Sequence, residues 1–337
     1  MSKNIVVFSD GTGQEGGEGN PTNIYKIFQM LENRTPHQLS FYDRGLGTGW
    51  RKFSGNVFGL GISKNIKECY RFIFDHFEAG DQIFLFGFSR GAATVRSLSG
   101  FIHLFGMLPK SRPELIDKAW KIYKVNDRSV REEKASNLLS NHHNMWVHIK
   151  FLGVFDTVAA LGIPNKFING VIDRLPGMKN KFHDYLLSES VENAYQALAI
   201  DDERKTFHPK FWEPEIKDGQ KMEQVWFAGV HTDVGGGYAE QNLSDIPLEW
   251  MLKKAVPCGL RMYANHKVTV GPDVDGTMHD PFDGPMPWRR EVRSWDSKKY
   301  GKPNVFHTAV ERSLNSQIKS NSKYDPWILQ VPHNVVY

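Results

Sequence analysis

Only two cysteines occur among 337 residues, Cys69 within a helical apolar pattern and Cys258 before a glycine. That spacing argues against a disulfide framework and for buried free thiols in a reducing compartment. No apolar stretch approaches the roughly 18 residues that a membrane-spanning helix needs. Residues 1–4 run straight into the apolar run 5–8, which leaves no room for a signal peptide. The expectation is a chain made soluble in the cytoplasm. Charge of one sign is scarce as well. The formal net charge is +4 and no long Lys/Arg run occurs, so a nucleic-acid groove is not expected, although mild basicity is compatible with an anionic membrane surface. Internal repeats and low-complexity tracts are also missing. What remains, at 40% hydrophobic, is enough to bury a sizeable core, and the chain reads as one decorated domain over 1–337.

The most informative residues are 82–91, Gln82-Ile83-Phe84-Leu85-Phe86-Gly87-Phe88-Ser89-Arg90-Gly91. An apolar β-run delivers a serine into Ala92-Ala93-Thr94-Val95, the start of a helix rich in small residues. Glycines stand two positions to either side of the serine. A serine on so sharp a strand-to-helix turn needs close backbone approach on both sides, which glycine allows. The pattern predicts a nucleophile elbow.

Other strands alternate with helices, the mark of a parallel sheet covered on both faces. Strands are predicted at 5–8, 39–42, 83–86, 149–155 and 224–230, and helices at 23–31 and 62–77. Each strand ends in polar or glycine-rich residues, so Asp10, Ser89, Asp156, His231 and Asp233 are expected together on the carboxyl edge, where open α/β sheets bind ligands.

A serine hydroxyl becomes nucleophilic when a histidine takes its proton, and a carboxylate then fixes the imidazole. Ser89 is the predicted nucleophile. In the chain order serine, acid, histidine, Asp156 ends the strand after the elbow and His231 ends the next one. His307, also before a helical segment, is the rival base. The oxyanion is expected to meet the backbone N–H of Arg90 and of Gly11 or Thr12. Asp10 is expected to shape the glycine turn after the first strand, and Asp233 to hold a tight turn. A competing idea gathers Asp10, Asp156 and Asp233 around a divalent cation in a metal-dependent phosphoesterase. It leaves the glycine-flanked serine without a role. A non-catalytic binding module on the same fold is a further alternative. The serine mechanism requires no cofactor.

Four ordered runs, Phe8-Ser9-Asp10-Gly11-Thr12, Gly87-Phe88-Ser89-Arg90-Gly91-Ala92, Gly153-Val154-Phe155-Asp156-Thr157-Val158 and Gly229-Val230-His231-Thr232-Asp233-Val234-Gly235-Gly236-Gly237-Tyr238, carry a resemblance. Together they resemble the α/β-hydrolase-like domain of unknown function 2235 family, which includes the catalytic domains of bacterial type VI secretion phospholipase effectors of the Tle1 class. Weaker matches include Ala197-Leu198-Ala199-Ile200-Asp201 before Arg204, and the run 306–312 around His307. The resemblance implies an α/β-hydrolase-like three-layer sandwich with a mostly parallel central sheet and helical insertions. It also implies a lipid or acyl-ester substrate, a lipase or phospholipase activity, and compatibility with export by a dedicated secretion system. Two positions depart from the family: Gly13-Gln14 stand where an asparagine is usual, and Gln196 where a histidine is usual.

The amphipathic stretch 163–187 follows Asp156 directly; it reads either as ordinary surface packing or, within 160–222, as a candidate lid or cap that could face acyl chains or a membrane surface. Residues 262–337 read as a C-terminal decoration. His142, His143 and His148 lack ligand spacing. Gly45-Leu46-Gly47-Thr48-Gly49 lacks the lysine of a phosphate loop and reads as a turn lining the site. Oligomeric state leaves no trace in the sequence.

Overall fold

A computed structural model of the chain describes residues 2–11, 19–45, 55–158, 186–283, 287–319 and 323–337. Its centre is an eight-stranded sheet formed by β1 (Asn4–Ser9), β2 (Gln38–Asp43), β3 (Gln82–Phe88), β4 (Ile149–Phe155), β5 (Asn193–Ala199), β6 (Lys221–Phe227), β7 (Asn304–Phe306) and β8 (Asn334–Val336). The order across the sheet is β2-β1-β3-β4-β5-β6-β7-β8, and every neighbouring pair is parallel. Parallel pairing requires a crossover for each return of the chain. The crossovers include α1 (Asn23–Met30), α2 (Gly55–His76), α3 (Arg90–Phe105), α4 (Leu115–Tyr123), α5 (Arg128–Ser140), α6 (His231–Gly235), α7 (Asn242–Ala255), α8 (Ser297–Tyr300) and α9 (His307–Lys319).

Two-residue periodicity divides each central strand between two cores. On β1, Ile5 and Val7 join a cluster with Ile66, Tyr70 and Ile73 of α2 and Val95, Leu98 and Phe101 of α3. Val6 and Phe8 face the other way, into a cluster with Ile24 and Ile27 of α1 and Trp250 and Met251 of α7. The result is a three-layer α/β sandwich with a parallel central sheet. Helices α1 and α7 are also tied by an ion pair, Lys26 Nζ to Asp245 Oδ1 at 2.5 Å, with both residues buried.

Strand order positions the site. The chain places β2 on one side of β1 and β3 on the other, so the connections leave in opposite directions and open a crevice at the carboxyl ends of β1 and β3. Gly11 follows the first of these strands and Ser89 the second.

The structure corrects the sequence reading in places. β6 ends at Phe227 rather than at 230, and β5 lies between β4 and β6, so the strand leading to His231 is not the next one after Asp156. Within the expected lid 160–222, residues 193–199 are this central strand, while 159–185 lie outside the described residues. The stretch 262–337, expected as decoration, contributes β7 and β8 to the sheet. The loop expected at 45–49 falls outside the description beyond Gly45.

Candidate active site

Ser89 takes φ +58° and ψ −118°, a conformation L-residues avoid unless the surroundings enforce it. The enforcement is visible in its flanking glycines. A β-carbon on Gly87 would come within 2.6 Å of the Gly91 carbonyl, and one on Gly91 would run into the carbonyl of Ser9 on β1. Both positions therefore demand glycine for space. The Ser89 N–H donates to the Phe155 carbonyl at 3.0 Å, which pins the turn to the end of β4. The turn after β1 packs on it too, since a β-carbon on Gly11 would lie 3.5 Å from Ser89 Cβ.

Asp156, the residue after β4, has φ +38° and is fully buried. Its Oδ2 accepts from Nδ1 of His231 at 2.6 Å, and its Oδ1 accepts from the Ala199 N–H at 3.1 Å. Arg293 closes on the same carboxylate with both arms, Nη1 to Oδ1 at 2.7 Å and Nη2 to Oδ2 at 2.9 Å. Burial opposes ionisation of Asp156, but the Arg293 charge and the hydrogen bonds from His231 and Arg293 outweigh it and hold the carboxyl well below the usual carboxylate range. With Asp156 ionised, the shared proton belongs to Nδ1 of His231, which leaves Nε2 as the basic nitrogen.

His231 is the first residue of α6, and its N–H donates to Asp202 Oδ2 at 3.1 Å. The imidazole lies between the rings of Phe88, centroids 4.6 Å apart, and Phe207, at 5.0 Å. Phe88 precedes the serine, so the same ring links the elbow to the histidine. Gly235 makes room for it, because a β-carbon there would strike the Phe88 ring. Burial pushes the imidazole below its ordinary value even though Asp156 favours the cation.

The remaining predicted residues divide clearly. Arg90 heads α3, where helix geometry turns backbone N–H groups outward, and burial lowers its guanidinium to about 10. The Gly11 N–H donates to Asp10 Oδ1 at 2.7 Å, and Thr12 lies outside the described residues. Asp10 also accepts from Thr22 Oγ1 at 2.5 Å and from the Tyr42 hydroxyl at 2.6 Å, and burial raises it to about 6. Asp233 caps α6 through the Val230 N–H at 3.1 Å and pairs with Nδ1 of His279 at 2.6 Å. Asp10, Asp156 and Asp233 are therefore each engaged with separate partners. Among the described residues no three His, Cys, Asp or Glu side chains converge as a metal set. His307 follows β7, four strand spacings or roughly 19 Å across the sheet from β3. Its ring stacks on Tyr337 with centroids 4.9 Å apart.

Sequence reasoning missed Arg293, Asp202 and Phe207. Arg293 lies 137 residues beyond Asp156 in an irregular segment without periodicity, and no local pattern marks it. Asp202 had a signal, an Asp-Asp pair directly after an apolar run. Its carboxylate is held by Arg204, at 3.0 Å from Nε and 2.6 Å from Nη2, and the Arg204 guanidinium lies 3.6 Å from the centre of the Phe207 ring. The departure at Gln196 is also placed: its Oε1 accepts from Thr157 Oγ1 at 2.6 Å and its Nε2 donates to Gln224 Oε1 at 3.1 Å, within a buried polar network beneath the site.

Residues 3–254 match the family described as the type VI secretion phospholipase effector Tle1-like catalytic domain. Uncharacterized protein YEL023C of Saccharomyces cerevisiae is 29% identical over 232 residues, which cover 61% of this chain and 32% of the yeast protein. A crystal structure of an uncharacterized protein from Pseudomonas aeruginosa aligns with TM-score 0.44 and 16% identity, covering 77% of this chain and 46% of that one. The Tle1 effector bound to the VgrG spike of the type 6 secretion system aligns with TM-score 0.38 and 21% identity, covering 71% and 52%. The chain thus spans about a third of the yeast relative and about half of each solved chain.

Proposed function

Because the chain belongs to the family of Tle1-like phospholipase effector catalytic domains, we propose that it is a serine-dependent acyl-ester hydrolase acting on phospholipids through Ser89, His231 and Asp156. The observation that carries this reading is the 2.6 Å contact between Asp156 and His231, formed out of water against the ring of Phe88, the residue before a strained, glycine-flanked serine.

Nε2 of His231 takes the Ser89 proton as Oγ attacks the ester carbonyl carbon, and the carbonyl π electrons move onto oxygen. The amide of Arg90, one residue past the nucleophile at the positive end of α3, stabilises the oxyanion; the Gly11 N–H, also expected there, is instead held by Asp10 Oδ1. Collapse of the tetrahedral intermediate expels the alcohol, which leaves with the proton from Nε2. Water, deprotonated by the same nitrogen, then cleaves the acyl-serine to a free fatty acid. Asp156 stays ionised throughout and stabilises the imidazolium. The apolar walls of Phe88 and Phe207 keep that charge out of water, where its pairing with Asp156 is strongest.

The test is incubation of the purified protein with phosphatidylethanolamine/phosphatidylglycerol vesicles, followed by mass spectrometry of the lipids. Free fatty acid and lysophospholipid, both missing with Ser89→Ala, are expected. Release of phosphate or of a phosphorylated headgroup would contradict acyl-ester cleavage.

A further inference from the structure

Arg293 lies beyond the segment 3–254 that matches the family, between α7 and α8, yet it is only 2% exposed. All five of its N–H donors are used. Nε reaches the Asp202 carbonyl at 2.8 Å, Nη1 reaches Asp156 Oδ1 at 2.7 Å and the Ala199 carbonyl at 2.6 Å, and Nη2 reaches Asp156 Oδ2 at 2.9 Å and the Phe207 carbonyl at 2.7 Å. Desolvating a guanidinium is costly, and an apolar side chain of similar volume would serve packing as well. The arginine therefore points to a task that needs its charge and its fork.

The fork shares Oδ2 of Asp156 with Nδ1 of His231. Resting on the serine-hydrolase reading above, we infer that Arg293 is a positioning residue for the triad. Its fork fixes the carboxylate in the plane that presents Oδ2 to the imidazole, and its charge keeps His231 a neutral base in more acidic media than an unaccompanied Asp–His pair allows. The charged groups facing His231 are Asp156 and Asp202, which favour the imidazolium, and Arg204, which opposes it. Arg204 and Asp202 offset one another through their own bidentate contact. Arg293 stands in the same relation to Asp156. Without its charge, Asp156 would face the imidazolium unopposed, and His231 would hold its proton to higher pH.

Arg293→Gln and Arg293→Lys are compared with the parent protein by two readouts. One is the acid limb of kcat/KM on a soluble short-chain p-nitrophenyl ester. The other is titration of the His231 ring nitrogens by 1H–15N NMR, which needs no turnover and so tests Arg293 even if the esterase reading fails. Arg293→Gln is expected to raise the NMR midpoint and the acid limb together by about one pH unit. Arg293→Lys keeps the charge but loses the fork; its midpoint should stay in place while kcat falls about tenfold. A folded Arg293→Gln that titrates like the parent overturns the inference. If that variant does not fold, parental kcat in Arg293→Lys, or a parental His231 midpoint above the ordinary value of about 6.5, overturns it instead.

Discussion

Nδ1 of His231 meets Oδ2 of Asp156 at 2.6 Å, joining the head of α6 to the end of β4 across 75 residues of chain. The contact is enclosed by Phe88 and Phe207 and held from behind by Arg293. A histidine so held has one proton in a fixed place and one basic nitrogen, which is what a general base requires. Asp156→Asn would present an amide to Nδ1 and favour the wrong tautomer. Ester hydrolysis should fall about 10⁴-fold while the folded chain retains its far-UV circular dichroism; activity within tenfold of the parent would remove Asp156 from the triad.

The two histidines suggested by the sequence follow neighbouring strands, β6 and β7, but His231 meets Asp156 whereas His307 stays at the end of β7. His231→Ala should abolish turnover. His307→Ala removes a ring that stacks on Tyr337 at the far side, and should leave kcat/KM within about twofold, as for a surface substitution. Steady-state kinetics on one soluble ester compares both, and the reverse ranking would move the base to β7.

Gly91 tests the elbow rather than the chemistry. Gly91→Ala would force a β-carbon into the Ser9 carbonyl. Backbone cannot yield there without parting β1 from α3, so a loss of about 3 kcal/mol is expected, read as a melting temperature several degrees lower. Unchanged stability would mean that the turn is looser than its backbone angles indicate.

Much of the candidate site was legible because its residues follow strand ends. Apolar runs such as 83–86 and 149–155 announce buried parallel strands, and the residue after each is placed by the sheet. The positions of Ser89 after β3 and of Asp156 after β4 needed nothing more. β5 was harder, since Asn193, Tyr195 and Gln196 break its apolar run, and β7 and β8 have three residues each, too few to show a period. Arg293 could not be read at all. A side chain that enters a site from an irregular segment is placed by tertiary packing, and only the folded chain shows which arginine it is.

Asp10 gives a pH prediction independent of catalysis. Burial raises it from 3.8 to about 6, so the folded chain binds its proton more tightly than the unfolded chain does. That stability is fully present below about pH 4 and is lost as pH rises through 6, by on the order of 3 kcal/mol. Asp10→Asn cannot titrate. The difference in melting temperature between parent and variant should therefore change between pH 4 and 7, in the direction that disfavours the parent as pH rises. A constant difference would show that Asp10 is ionised throughout.

The central claim is that Ser89 is the nucleophile activated by His231. Its most direct measurement is peptide mapping of the protein after reaction with a fluorophosphonate probe. The account predicts one adduct, on Ser89, strongly reduced in His231→Ala and unaffected by His307→Ala. An adduct elsewhere, or ester hydrolysis that persists in Ser89→Ala, would contradict it.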